Sequence, residues 1–384
     1  MRLLSFLAIS TGLGRGHVKV YAAHECAYTV SSHKYSPIPE KLALKNVVVI
    51  HRHGDRAQIS REIGPNHPEK PEIREIWQSK LPSEEALLAM AAAAEIPSEH
   101  LDSDVQKQLY TGWDHSNSPY GQLTQLGSQQ LFSVGAELRR RYLGLVLPDS
   151  LSEASKTLYC RSTNFCRTHQ SLRSLLAGLL EVDSSHYPQP ENVVLPSIFS
   201  KPKERETMYP QADGPCPRMN EIRSTIFAND YMAKSIPGYK DLEVRMKDLL
   251  GYTDRVSWLT VKEILTCYAT HNIPFPNGVT DEDAERVSHL AGWMWGELYS
   301  NDELNRLAIG RFLHEMLDIL QPAVLAAAAG AESNAATTAV VDNLNESTND
   351  MVKRPRMLIF SGHDSTLVPV LCALGIYDGN LKAP

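Results

Sequence analysis

The chain has no excess of basic charge. Across 384 residues, 38 Lys and Arg stand against 45 Asp and Glu, a net charge of −7 with a pI near 6.1. That removes the electrostatic footprint of a nucleic-acid partner, and it requires any anion site to gather its cations locally. The N-terminal apolar run at 3–9 is far too short to cross a bilayer, so no transmembrane segment is expected. There is no Cys-x-x-Cys pair to hold structural zinc. His314–Glu315 lacks the second histidine of a zinc-binding helix, so neither a metal nor another cofactor is expected. Cysteines number only six. Cys160 and Cys372 sit in apolar stretches and read as buried thiols; Cys26, Cys216 and Cys267 are the candidates for pairing in an oxidising compartment, with connectivity open.

What remains is an ordinary globular composition, 42% hydrophobic and 22% charged. The length suits one large domain, or a core with an inserted subdomain. Residues 1–23 read as a removable leader. A short apolar run followed by Val20-Tyr21-Ala22 suits a secretory signal, hence a secreted or endomembrane-lumen protein. The absence of any acid before Glu25, with Arg15, His17 and Lys19, suits a mitochondrial transit peptide instead.

The chain is organised around three copies of one pattern. Residues 47–50 are an uncharged β-branched run, the signature of a strand buried on both faces of a parallel sheet, and they run into His51-Arg52-His53-Gly54-Asp55-Arg56. Residues 157–160 run into Arg161, then a helix bearing Leu172, Leu175, Leu176 and Leu179, with Ser162 or Thr163 as its expected cap. Residues 357–360 run into Ser361-Gly362-His363-Asp364, then a helix stopped by Gly375. Polar groups at the carboxyl ends of parallel strands mark the ligand edge of an α/β sheet. Arg52 and Arg56 fork donors towards an oxyanion, and His53 between them is placed as nucleophile or base.

Between these motifs, Leu131, Val134, Leu138 and Tyr142 form a helical stripe after Thr124. Thr280 and Asp283 form a capping box, and Trp258, Val261 and Leu265 a second stripe, in a mostly helical insertion. Residues 322–352, rich in Ala, Asn, Ser and Thr, read as a low-complexity loop.

Arg52-His53-Gly54-Asp55-Arg56 resembles the R-H-G-x-R signature of the histidine acid phosphatases, the acid branch of the phosphoglycerate-mutase-like fold. Gly121-Gln122-Leu123-Thr124, Arg161-Ser162-Thr163 with Arg167, and His363-Asp364 are similar to further motifs of that family, and the resemblance covers most of 43–378. Within it, the chain is most similar to the lysophosphatidic acid phosphatase subgroup, which is mitochondrial. The resemblance implies a three-layer α/β core at about 43–62, 120–200 and 354–384 with a mainly parallel sheet, and a helical cap at about 63–119 and 201–320. It implies a metal-independent acid phosphatase acting on small or lipid phosphomonoesters. His53 would form a phosphohistidine and Asp364 would be the proton donor, with Arg52, Arg56, Arg161 and His363 binding the phosphate; Arg167 would be structural. Two departures stand out. Ala57-Gln58 replaces the x-Pro that follows the signature, and the family continues well beyond Pro384, which leaves open a truncated or mispredicted chain. The alternatives are a phosphohistidine mutase-type transferase, against which His363-Asp364 speaks, and an inactive phosphatase-like binding protein.

Overall fold

The computed structural model describes residues 5–9, 44–97, 101–110, 118–188, 194–210, 216–328 and 355–376. Its centre is a five-stranded parallel sheet of β1 (Ser5–Ile9), β2 (Val47–Arg52), β3 (Leu158–Ser162), β4 (Ile198–Phe199) and β5 (Met357–Gly362), ordered β1-β2-β5-β3-β4. The three expected strands are thus the three central ones. With β5 in the middle, His51 registers with Ser361, and Ser361 with Ser162. All three strand ends meet at one edge of the sheet.

Side chains alternate across each strand, and both faces are covered. Val47, Val49, Leu158, Cys160, Met357 and Ile359 pack one way, against Leu131, Val134 and Leu138 of the Gln125–Tyr142 helix and Leu172, Leu175 and Leu176 of the Cys166–Leu180 helix. Val48, Ile50, Tyr159, Leu358 and Phe360 pack the other way, against Ile309, Phe312 and Met316 of the Asp302–Ala328 helix and Leu367 and Val370 of the Asp364–Ala373 helix. This is the expected three-layer α/β core.

The two helices of the first face cross at glycines. A β-carbon on Gly135 would lie 1.9 Å from the Leu175 carbonyl oxygen, and one on Gly178 would lie 2.0 Å from that of Phe132. The backbones touch there, a spacing that admits no side chain at either position.

The cap has its own core, built by Met246, Trp258, Val261, Leu265, Val287 and Leu290 from the Tyr239–Leu250, Trp258–Thr270 and Asp281–Tyr299 helices. The Thr280–Asp283 capping box is present, and Arg245 holds Asp283 at 2.7 Å.

Several expected boundaries move. Residues 302–320, assigned to the cap, form the second helical layer of the core, because Phe312 packs edge-on to Phe360 of β5 at 5.0 Å. The Glu84–Ala93 helix, assigned to the cap as well, buries Ala93 in the core and packs on the Cys166–Leu180 helix. The Asp302–Ala328 helix runs into the stretch expected as a loop at 322–352; residues 329–352 lie outside the described residues. The apolar run expected as part of a leader pairs with β2 as the edge strand β1, while the Val20-Tyr21-Ala22 junction and Cys26 lie outside the described residues. Cys216 and Cys267 are free thiols rather than a pair, and Cys372 is only partly buried.

Candidate active site

The nucleophile candidate is held by backbone bonds that extend the sheet. The His53 N–H donates to the Gly362 carbonyl at 3.0 Å, tying the loop after β2 to the end of β5. Gly54 then turns against the start of the Gln125–Tyr142 helix, where a β-carbon would lie 2.3 Å from the Gly127 carbonyl oxygen. The Gly54 N–H donates to the Ser171 hydroxyl at 3.0 Å. In the His53 ring, Nδ1–H donates to the Gly54 carbonyl at 2.8 Å, which fixes the tautomer and leaves Nε2 unprotonated. Burial, then the charges of Arg52, Arg167 and Arg56, hold this imidazole well below its ordinary pKa.

His363 stands edge-on to His53, ring centres 5.5 Å apart, in a collar of Phe165 at 4.9 Å and Tyr209 at 4.8 Å. Its Nε2 bonds with the Thr163 hydroxyl at 3.0 Å. Thr163 was one of two expected caps of the next helix; the N-cap is instead Phe165, which contributes no side-chain bond, and the hydroxyl is committed to the site. Burial and then Arg167 push the His363 pKa well down.

Asp364 opens the Asp364–Ala373 helix, where a negative charge suits the macrodipole. Its carboxylate lies 3.6 Å from Arg52 Nε and accepts the Ser365 N–H at 3.0 Å. Burial alone would raise its pKa, but Arg52, Lys262 and Arg56 outweigh burial and hold it below the usual carboxylate range.

Arg52, His53, Arg56, His363 and Asp364 line one cavity of about 360 Å³. Arg161 does not. Strand alternation turns it, with Tyr159, towards the face covered by the Asp302–Ala328 helix, where its guanidinium is gripped by Glu315 at 2.6 Å and Glu206 at 2.7 Å. The expectation that Arg161 faces the ligand is therefore corrected: it is the centre of a buried ion cluster.

The third arginine in the cavity is Arg167, read from sequence as structural. It lies one residue into the Cys166–Leu180 helix, its guanidinium 4.6 Å over the Phe165 ring, and no carboxylate pairs with it among the described residues. Burial and then Arg56 lower its pKa to about 9. Its place at the first turn of a helix that starts just past a strand end was the available signal.

Further lining residues were missed because they arrive from the cap. Arg223, Lys262 and Glu263 are polar; Phe227, Leu259, Met294 and Trp295 make an apolar wall. Glu263 is ion-paired to Arg56. Burial, then Arg52, lower the Lys262 pKa. Asp55 is clamped between the Thr124 hydroxyl at 2.5 Å and His271 Nε2 at 2.6 Å.

The missing proline of the signature has a substitute. Gln58 is fully buried; its amide donates to the Ser60 carbonyl at 2.8 Å and its side-chain oxygen accepts the Trp77 indole N–H at 3.1 Å. Hydrogen bonds stiffen the turn where a proline ring would otherwise fix φ.

Comparison with known proteins gives the family and the fold. Bovine lysosomal acid phosphatase is 28% identical over 273 residues, 69% of this chain and 57% of that protein. Counting factor 60 of Dictyostelium discoideum is 24% identical over 342 residues, 87% and 73%. Bovine prostatic acid phosphatase is 25% identical over 271 residues, 68% and 62%. The chain thus spans less than two thirds of the lysosomal and prostatic relatives. Among solved structures, Hafnia alvei phytase in complex with tartrate shares the fold, with TM-score 0.51 and 14% identity over 88% of this chain and 76% of that one. The sequence model of the histidine phosphatase superfamily (branch 2) matches residues 43–383, and the chain belongs to that superfamily.

Proposed function

We propose that the protein hydrolyses phosphate monoesters without a metal, through a phosphohistidine on His53. The observation that carries this reading is the His53 ring: Nδ1 is committed to Gly54, and no group among the described residues bonds to Nε2, while Arg52, Arg56 and Arg167 line the same cavity. Three guanidiniums suit the equatorial oxygens of a phosphoryl group in transfer, where positioning and charge compensation dominate catalysis. In the first step Nε2 attacks phosphorus, the P–N bond forms, and the ester P–O bond breaks. Asp364 gives its proton to the departing oxygen. In the second step water attacks phosphorus, Asp364 takes a proton from it, and the P–N bond breaks to release phosphate and restore the imidazole. His363, whose Nε2–H is taken by Thr163, donates from Nδ1 to a phosphoryl oxygen once the bound dianion offsets the arginines and protonates the ring.

The electrostatics favour work in acid. His53 stays neutral and nucleophilic below its ordinary pKa, because burial and the arginines depress it. Asp364 is ionised in the empty site, but a bound phosphate offsets Arg52, Lys262 and Arg56 and raises its pKa, loading it with the proton it must deliver.

For substrate, the apolar wall of Phe227, Leu259, Met294 and Trp295 beside the cationic floor suits a monoester with an apolar portion, and lysophosphatidate is our candidate. The lysosomal name of a relative and the acid chemistry favour a lumenal or secreted location over a mitochondrial one.

The test is p-nitrophenyl phosphate hydrolysis from acid to neutral pH with EDTA present. Activity that survives EDTA and disappears in a folded His53→Ala chain supports the reading; turnover by His53→Ala at the parent rate contradicts it.

A further inference from the structure

Arg56 has a partner that a phosphate-binding arginine would not be expected to keep. Its Nη1 donates to Glu263 Oε1 and to the Ala57 carbonyl at 3.1 Å. The same carboxylate oxygen accepts the Ile59 N–H at 2.9 Å and lies 3.7 Å from the Cys267 thiol. Glu263 therefore grips the phosphate loop at a guanidinium and at a backbone N–H. It does so from the cap: the Trp258–Thr270 helix carries it, and that helix packs with the cap core through Val261, Ile264 and Leu265.

Both partners line the cavity, and both are largely shielded, with 9% of the Arg56 side chain and 16% of the Glu263 side chain exposed. In such surroundings charges act strongly on one another. The other cations of the cavity, Arg52, Arg167, Arg223 and Lys262, have no comparably close carboxylate among the described residues; Asp364 stands 3.6 Å from Arg52. Beside Asp364, which takes up the proton it must deliver, Glu263 is thus a second carboxylate among the cations that a phosphate must use. Its oxygen takes an Arg56 donor that a phosphoryl oxygen would take, and its charge opposes the incoming anion.

We propose that Glu263 is an internal competitor of phosphate: it holds Arg56 in place while the site is empty and limits how tightly the product is held afterwards. The inference rests on the phosphoryl-transfer reading above. Its consequence is a trade between affinity and release. A cluster of three guanidiniums with no internal counter-charge would retain inorganic phosphate after each turnover. With Glu263 present, Arg56 returns to the carboxylate as phosphate leaves. Glu263 is a positioning residue acting through Arg56, and it makes no bond to the reacting atoms.

Inorganic phosphate binding, followed by titration calorimetry on the full chain at constant pH and ionic strength, tests this without relying on turnover. Glu263→Gln keeps an oxygen for Arg56 and for the Ile59 N–H but removes the charge. It is expected to tighten phosphate binding by about tenfold and to make phosphate a correspondingly stronger product inhibitor. A merely structural role predicts the opposite sign, since a disordered loop binds phosphate less well. An unchanged or weakened Kd in a folded Glu263→Gln chain overturns the proposal. If that variant does not fold, Glu263→Asp withdraws the carboxylate by one methylene. Its Kd is expected to fall by a smaller factor, and a folded Asp variant with the parent Kd overturns the proposal equally. An unmodified chain that binds no phosphate at all overturns the phosphatase reading, and this inference with it.

Discussion

At the scale of single residues, two arginines six positions apart have exchanged their expected parts. Arg161 is buried with Glu206, Glu315 and Thr207, whereas Arg167 faces the cavity without a carboxylate partner. The two substitutions should therefore fail differently. Arg161→Met leaves Glu206 without its cation in a protected site and Glu315 with Lys201 alone, and unfolding in urea should show a loss of about 3–5 kcal/mol. Arg167→Met leaves no carboxylate stranded, so stability should change little while kcat/KM for phosphomonoesters falls by about a hundredfold or more. Equal loss of kcat/KM in a still-folded Arg161→Met chain would contradict this division. Asp364 offers a test of a different kind. A general acid matters most when the leaving oxygen is basic, so Asp364→Asn should lower kcat/KM, which reports the first step alone, by about 10²–10⁴ for an alkyl phosphate and by much less for p-nitrophenyl phosphate, whose phenolate leaves unaided. A uniform loss on both substrates contradicts the proton-donor role.

At the scale of elements, the strands and their order of importance were legible, and the cap's contribution was not. An apolar run with His or Arg close behind it can be read locally, because the burial of residues 47–50 and 357–360 follows from their own composition. Which face Arg161 would take could not be read that way. It depends on strand alternation together with what covers each face, and the covering helix lies more than 140 residues further along the sequence. Lys262 and Glu263 were invisible for the same reason: they sit about two hundred positions from Arg56 and meet it only through the packing of the Trp258–Thr270 helix. Gln58 looked like a defect in the signature, and only its bonds to Trp77 and Ser60 show how the turn is held. The close crossing at Gly135 and Gly178 gives an element-scale prediction. Gly135→Ala would drive its methyl against the Leu175 carbonyl and force the two helices apart, for a loss of about 1–3 kcal/mol measured by urea unfolding. An unchanged midpoint would show that the helices are not in backbone contact there.

At the scale of the whole molecule, the chemistry and the stability of the fold pull in opposite directions with pH. His51, on β2 beside the site, is buried, and burial lowers its pKa from 6.5 to about 4 against the small opposing effect of the Arg52 carbonyl. A histidine kept neutral in the folded chain but free to protonate in the unfolded one weakens the fold as pH drops. The loss begins near the unfolded pKa of 6.5 and is complete below about 4. The span corresponds to about 3 kcal/mol for this one group. His169, lowered to about 3 by burial and then Arg173, acts in the same direction. Acid that suits Asp364 as a proton donor therefore reduces the margin of stability. Urea midpoints should fall between neutral pH and pH near 4, and His51→Gln should reduce that fall relative to the parent. A His51→Gln chain whose midpoint drops as far as the parent's contradicts the assignment.

The central claim is that a covalent bond to phosphorus forms at His53, and trapping that bond is its most direct test. The Asp364→Asn chain, in which the water-activating step is slowed, would be mixed with p-nitrophenyl phosphate and quenched in alkaline detergent, where phosphohistidine survives. Intact and peptide mass spectra would then locate the phosphate. A single phosphoryl group is expected on the peptide containing His53, with none in the His53→Ala chain. Phosphate found on another residue, or release of p-nitrophenol with no phosphorylated His53 under any quench time, would contradict it.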